Sequence, residues 1–122
     1  MKRSLIIIFD NAPSAHKEGL IEKFALESEI IIFHLASKRD QEHPSKKYLR
    51  KLTFANARYI IDPKLEFFEI NKKFEQIFHA LNLKKNYYSS IKIIYSFLDL
   101  RRLLLVLLLK RKVMNLTNQL KL

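Results

Sequence analysis

The run Ser4-Leu5-Ile6-Ile7-Ile8-Phe9, leading into Asp10-Asn11-Ala12-Pro13-Ser14-Ala15-His16 and then Glu18-Gly19-Leu20-Ile21-Glu22-Lys23-Phe24-Ala25-Leu26, decides the fold class. Five consecutive apolar residues, Leu5 to Phe9, without polar alternation describe a strand covered on both faces, as in a parallel sheet. The spacing after it changes to that of a helix with Leu20, Ile21, Phe24 and Ala25 on one face and Glu18, Glu22 and Lys23 toward water. Glu29-Ile30-Ile31-Ile32-Phe33-His34-Leu35 then repeats the buried-strand pattern, at a distance that suits a right-handed βαβ crossover.

In open α/β sheets, ligands bind beyond the carboxyl ends of the strands. Here that place holds Asp10, Asn11, Ser14 and His16 within seven residues. Asp10 can orient a hydroxyl or act as a base, and His16 can meet a phosphate or hydroxyl near a helix start, with Asn11 and Ser14 as binding groups. The same residues also fit a structural reading, in which Asp and Asn are ordinary loop residues and Ser14 is a helix cap.

Further along, residues 36–52 turn polar and basic and include Ser37-Lys38-Arg39-Asp40-Gln41-Glu42-His43-Pro44, a loop leading to a short element near 47–52. Arg58-Tyr59-Ile60-Ile61 is a third, shorter strand closed by Asp62-Pro63. Ile70, Phe74, Ile77, Phe78 and Leu81 predict an amphipathic helix over residues 68–82. The spacing of Ile91, Ile94, Tyr95 and Leu98, followed by the leucine run 103–109, predicts one long helix over 89–112. Three parallel strands offer little surface to bury such a helix, so the sheet reads as incomplete.

The 122 residues have room for one domain. With no cysteine, disulfides, thiolate metal sites and cysteine nucleophiles are excluded. The single glycine, Gly19, removes both the dinucleotide and P-loop fingerprints. His16, His34, His43 and His79 show no ligand spacing, so neither a metal nor a cofactor is expected, and His34 reads as a hydrogen-bonded interior histidine. The apolar run near 4–9 is too short for a signal core or a membrane span, and the run at 103–109 falls far short of the roughly 20 residues of a span, so a cytoplasmic chain is expected.

The net charge of +11 is unevenly spread, because residues 84–122 hold nine Lys or Arg against the single acid Asp99. Arg101, Arg102, Lys110, Arg111 and Lys112 bracket the leucine run, an arrangement that suits an anionic membrane surface but equally a solvated basic face. Lys84-Lys85-Asn86-Tyr87-Tyr88 is a weak base-stacking pattern. Without a ribonucleoprotein or helix-turn-helix pattern, nucleic acid ranks last among the partners.

Taken together, the opening strand, the loop Asp10-Asn11-Ala12-Pro13-Ser14-Ala15-His16, the helix ending at Ala25-Leu26 and the strand at Glu29-Ile30-Ile31-Ile32 resemble the amino-terminal domain of B-type glycosyltransferases, the group that includes family 4 sugar transferases. The later order is also similar: a basic loop with proline, a short strand, and the Leu/Arg/Lys-rich stretch Tyr95-Ser96-Phe97-Leu98-Asp99-Leu100-Arg101-Arg102-Leu103-Leu104. The chain departs from the family after Lys110-Arg111-Lys112, where Val113-Met114-Asn115-Leu116 stands in place of a strand with an Asp-Val-Val-His type motif. Glu27-Ser28 stands where the family has a glycine.

The resemblance covers residues 3–110 and implies a truncated, Rossmann-like α/β domain at 1–112 with a long basic carboxyl-terminal helix and a short tail at 113–122. It also implies the acceptor side of a transferase that moves sugar from a nucleotide sugar to a glycan or lipid-linked acceptor. Asp10, Asn11 and His16 would face the cleft, and the donor-binding domain would be a separate chain or missing. Such a half would have little or no activity alone, and would rest against the inner face of the membrane. The alternative is a non-enzymatic basic protein that binds an anionic membrane surface or nucleic acid.

Overall fold

A computed structural model describes residues 4–11, 15–37, 57–81, 85–96 and 98–122, without the side chains of residues 15 and 16. Its elements are β1 (Ser4–Asp10), α1 (Ala15–Ala25), β2 (Glu29–Leu35), β3 (Ala57–Ile61), α2 (Phe67–Leu81), β4 (Ser90–Tyr95), α3 (Leu100–Leu108) and α4 (Lys110–Leu120). The loop and short element expected between residues 38 and 56 lie outside the described residues.

The four strands form one parallel sheet in the order β3-β2-β1-β4, so the chain is α/β with helices on both sheet faces. Ile7 sits between Ile31 of β2 and Ile93 of β4, and Phe33 pairs with Tyr59 of β3. From β1 the chain steps outward through β2 to β3 and then returns to the far side of β1. The strand order therefore reverses between β1 and β4.

Because side chains alternate across a strand, this register sorts the apolar runs into two cores. Leu5, Ile7, Phe9, Ile31, Phe33, Leu35 and Ile61 share one face and are buried beneath α2, α3 and α4. Phe74 of α2 lies against Phe9 and Phe33, with ring centroids 6.4 and 5.2 Å apart. Ile6, Ile8, Ile30 and Ile32 share the other face and pack against Ile21 of α1. Each such side chain, fully buried, contributes roughly 1.5–3 kcal/mol of transfer free energy.

Residues 89–112 do not form one long basic helix. Ser90–Tyr95 is the fourth strand, and its edge position explains the misleading pattern, since its residues are half-buried or exposed. Asp99 then starts α3, accepting a hydrogen bond from the Arg102 backbone N–H at 2.9 Å. A turn at Leu109 separates α3 from α4.

Nor are residues 113–122 a tail. Most of them belong to α4, which buries Val113, Leu116 and Leu120 in the larger core. The chain end is fastened beyond that helix, where Leu122 donates its backbone N–H to the Tyr88 carbonyl at 2.6 Å. Tyr88 is itself buried and donates its hydroxyl to Glu29; burial and that carboxylate push its phenol well above the usual range.

Candidate functional site

The carboxyl ends of β1 and β2, on the α1 side of the sheet, gather the buried charge of the described residues, and Arg58 reaches them from the start of β3. Asp10 ends β1 and is 1% exposed. Its Oδ1 accepts from Lys17 Nζ at 2.9 Å and from the Asn11 backbone N–H at 2.7 Å. Lys17 also donates to Asn11 Oδ1. Burial holds the Asp10 carboxyl above its usual value, and the Lys17 ammonium partly offsets that push.

One strand over, His34 is buried between two fixed partners. Its Nδ1–H donates to the Asn11 carbonyl oxygen at 2.8 Å, and Nε2 accepts from Arg58 Nη1 at 3.1 Å. This assignment is forced, because a carbonyl cannot donate and a guanidinium cannot accept. Burial lowers the imidazole pKa to about 4, so it is neutral at physiological pH. His34 is thus the hydrogen-bonded interior histidine that its apolar strand suggests.

Arg58 continues the chain of contacts to Glu18 Oε2 at 2.6 Å. Glu18 is 2% exposed, which corrects the expectation that it faces water. The reason lies in how α1 is rotated. Lys17, Glu18 and Ile21 turn toward the sheet because Asp10 and Arg58 stand there with opposite charges, whereas Leu20 and Phe24, expected inside, are each 42% exposed. Glu18 Oε1 and Arg58 Nε find no partner among the described residues.

A narrow cleft of about 80 Å³ opens between α1 and β4, where the strand order reverses. Asp10, Lys17, Phe24, Ile94 and Ser96 are among its lining residues. It can take one polar group of a ligand, with the rest of the molecule lying across the strand ends. Two oppositely charged pairs and a neutral histidine make this edge polar yet close to balanced, which suits recognition of hydroxyls better than capture of a highly charged anion.

Of the site residues expected from sequence, Asp10 and Asn11 are in this group, while Ser14 and the side chain of His16 lie outside the described residues. Lys17, Glu18 and Arg58 are not legible as site residues in the sequence, because charged residues on a helix or a short strand ordinarily face solvent. Their one visible signal was the helical spacing that puts Lys17 and Ile21 on a common side.

The basic residues near the leucine run divide. Arg101, Lys110 and Arg111 are exposed. Arg102 instead pairs with Asp99 and donates Nε to the Leu35 carbonyl at 2.5 Å, and Lys112 pairs with Glu75 at 2.5 Å. Tyr88, read as a base-stacking residue, is 1% exposed and presents no free ring face. Among the described residues no cluster of His, Asp or Glu is arranged to hold a metal ion, and no helix is long and apolar enough to cross a membrane. No protein-family model, curated protein or solved structure matches the chain.

Proposed function

We propose that these residues form the acceptor-side, Rossmann-like half of a B-type glycosyltransferase, working against the inner face of a membrane on a glycan or lipid-linked acceptor. The observation that supports this reading is the group Asp10, Asn11, Lys17, His34 and Arg58 at the carboxyl edge of a parallel sheet, beside the reversal of strand order where such folds bind ligands. The Asp10 carboxylate accepts a hydroxyl of the acceptor, while Lys17 keeps that carboxylate charged and in place. Asn11 and His34 hold the backbone that frames it. His16, at the start of α1, is assigned to the same acceptor.

In this reading the described residues supply the acceptor side alone, and the 122-residue chain by itself is expected to turn over no nucleotide sugar. DNA read downstream of the Leu122 codon in all three frames tests this. A frame encoding an aspartate-rich strand and a nucleotide-sugar domain is expected. Unrelated sequence there, or turnover of a nucleotide sugar by the purified chain, contradicts the proposal and favours a free-standing basic protein of an anionic surface.

A further inference from the structure

α3 is apolar on two sides at once. Leu105 and Val106, with Leu109 just beyond its end, are buried in the larger core. Leu100, Leu103, Leu104, Leu107 and Leu108 recur at i, i+3, i+4, i+7 and i+8, and each leaves between 39% and 72% of its area in water. That recurrence places all five on one stripe, turned away from the buried side. Between the stripe and Pro63, Leu65 and Phe67 runs an open apolar groove of about 470 Å³. Contiguous exposed apolar surface of this kind marks an interaction site.

The charge around the stripe selects what covers it. Arg101 stands at its head and Lys110 and Arg111 at its foot, all exposed, and the chain holds no acidic side chain after Asp99. A second copy seated stripe to stripe would bring these cations against their own equivalents, and Asp99, the acid at the head of α3, is already paired with Arg102. An anionic lipid surface instead supplies both the apolar medium and the opposite charge. At about 1.5 Å per residue the nine residues of α3 reach roughly 14 Å, which suits lying in the interface and not crossing a hydrocarbon core of about 30 Å.

We propose that α3 is a membrane-seating helix: its outer leucines enter the boundary between headgroups and acyl chains of an anionic bilayer, and Arg101, Lys110 and Arg111 meet the lipid phosphates. This rests on the peripheral membrane location given above and not on sugar transfer.

The chain has no tryptophan, so a single introduced one reports cleanly. Leu108→Trp, in the 122-residue chain mixed with phosphatidylglycerol vesicles carrying brominated acyl chains, is expected to shift to the blue and be quenched. Phosphatidylcholine vesicles should produce neither effect, and Leu26→Trp, in the exposed turn after α1, should stay unchanged with either lipid. Co-sedimentation of the otherwise unaltered protein with the anionic vesicles should fall at least tenfold in a Leu100→Gln, Leu104→Gln, Leu108→Gln variant. Those side chains lie outside the core, and an unchanged circular dichroism spectrum is the control that the fold is kept.

Sedimentation of the Leu108→Trp variant with the vesicles while its fluorescence stays unshifted and unquenched would overturn the seating but leave the peripheral location standing, since adhesion would then be electrostatic alone. No binding to anionic vesicles at all would overturn both. A dimer in analytical ultracentrifugation that the glutamine variant abolishes would assign the stripe to a second copy and overturn the proposal as well.

Discussion

The two faces of the sheet are built to different ends. On one, the aromatic rings of Phe9, Phe33 and Phe74 and the apolar sides of three helices make a closed core without a buried charge among its members. On the other, four isoleucines and Ile21 fill the middle, but the carboxyl end holds Asp10, Lys17, Glu18, His34 and Arg58 in two linked sets of contacts. Burying charge is costly unless it is paired, and replacing such pairs by apolar residues is often neutral or stabilising. The contrast places the larger apolar core on the three-helix face and the buried charge at the polar end of the α1 face.

The sharpest test of that division is Phe74→Ala. Phe74 is fully buried and touches three other rings, so its loss should cost about 3–5 kcal/mol in chemical denaturation. A change below about 1 kcal/mol, the range of an ordinary surface substitution, would mean that the three-helix face is not the main core.

The pH dependence comes next. His34 titrates near 4 when folded against 6.5 when unfolded, so between those values the unfolded chain binds the extra proton. Stability is therefore full above about pH 6.5 and falls as pH drops toward 4, by roughly 3 kcal/mol for this group alone. Asp10 acts in the opposite sense. Its folded value is raised, so its contribution is present at low pH and declines as pH rises above 3.8. The comparison of wild type with His34→Gln isolates the histidine: the variant should show a flatter stability curve between pH 4 and 6.5, and identical slopes would place His34 in water.

Arg58→Met breaks the pair with Glu18 and leaves a buried carboxylate. The cost should lie below the roughly 3–5 kcal/mol of fully buried pairs, because the Arg58 side chain keeps 18% of its exposure. Adding Glu18→Gln should recover part of the loss, and failure to recover any would show that the pair is not coupled. Asp99→Ala removes the cap of α3 together with its exposed pair to Arg102, on the core face but at its rim, and should cost about 1 kcal/mol by thermal denaturation.

How much of this was legible in the sequence follows the same division. β1, α1 and β2 are evident because central strands of a parallel sheet are covered on both faces and so read as unbroken apolar runs. β4 is an edge strand, and Ile91, Ile94 and Tyr95 satisfy helical spacing as well as they satisfy a strand. Its continuity with the leucines of α3 prolongs that helical spacing, although Asp99 in that stretch is a readable helix start. α4 was hidden by Asn115, Thr117 and Asn118, weak helix formers, while its Val113, Leu116 and Leu120 carry the pattern of a buried stripe. At the site, the position beyond β1 was readable from topology, whereas the inward turn of Lys17 and Glu18 depends on Arg58 forty residues from Glu18, a pairing that no local pattern contains.

The central claim, that the polar end of the α1 face receives a hydroxyl-rich acceptor at Asp10, is tested most directly by binding of the folded chain to arrayed glycans and lipid-linked saccharides, beside Asp10→Asn. The account predicts saccharide binding by the unaltered chain and its loss, by tenfold or more, in the Asn variant with the fold intact. Binding that is equal in both, or absent from the unaltered chain, would contradict it.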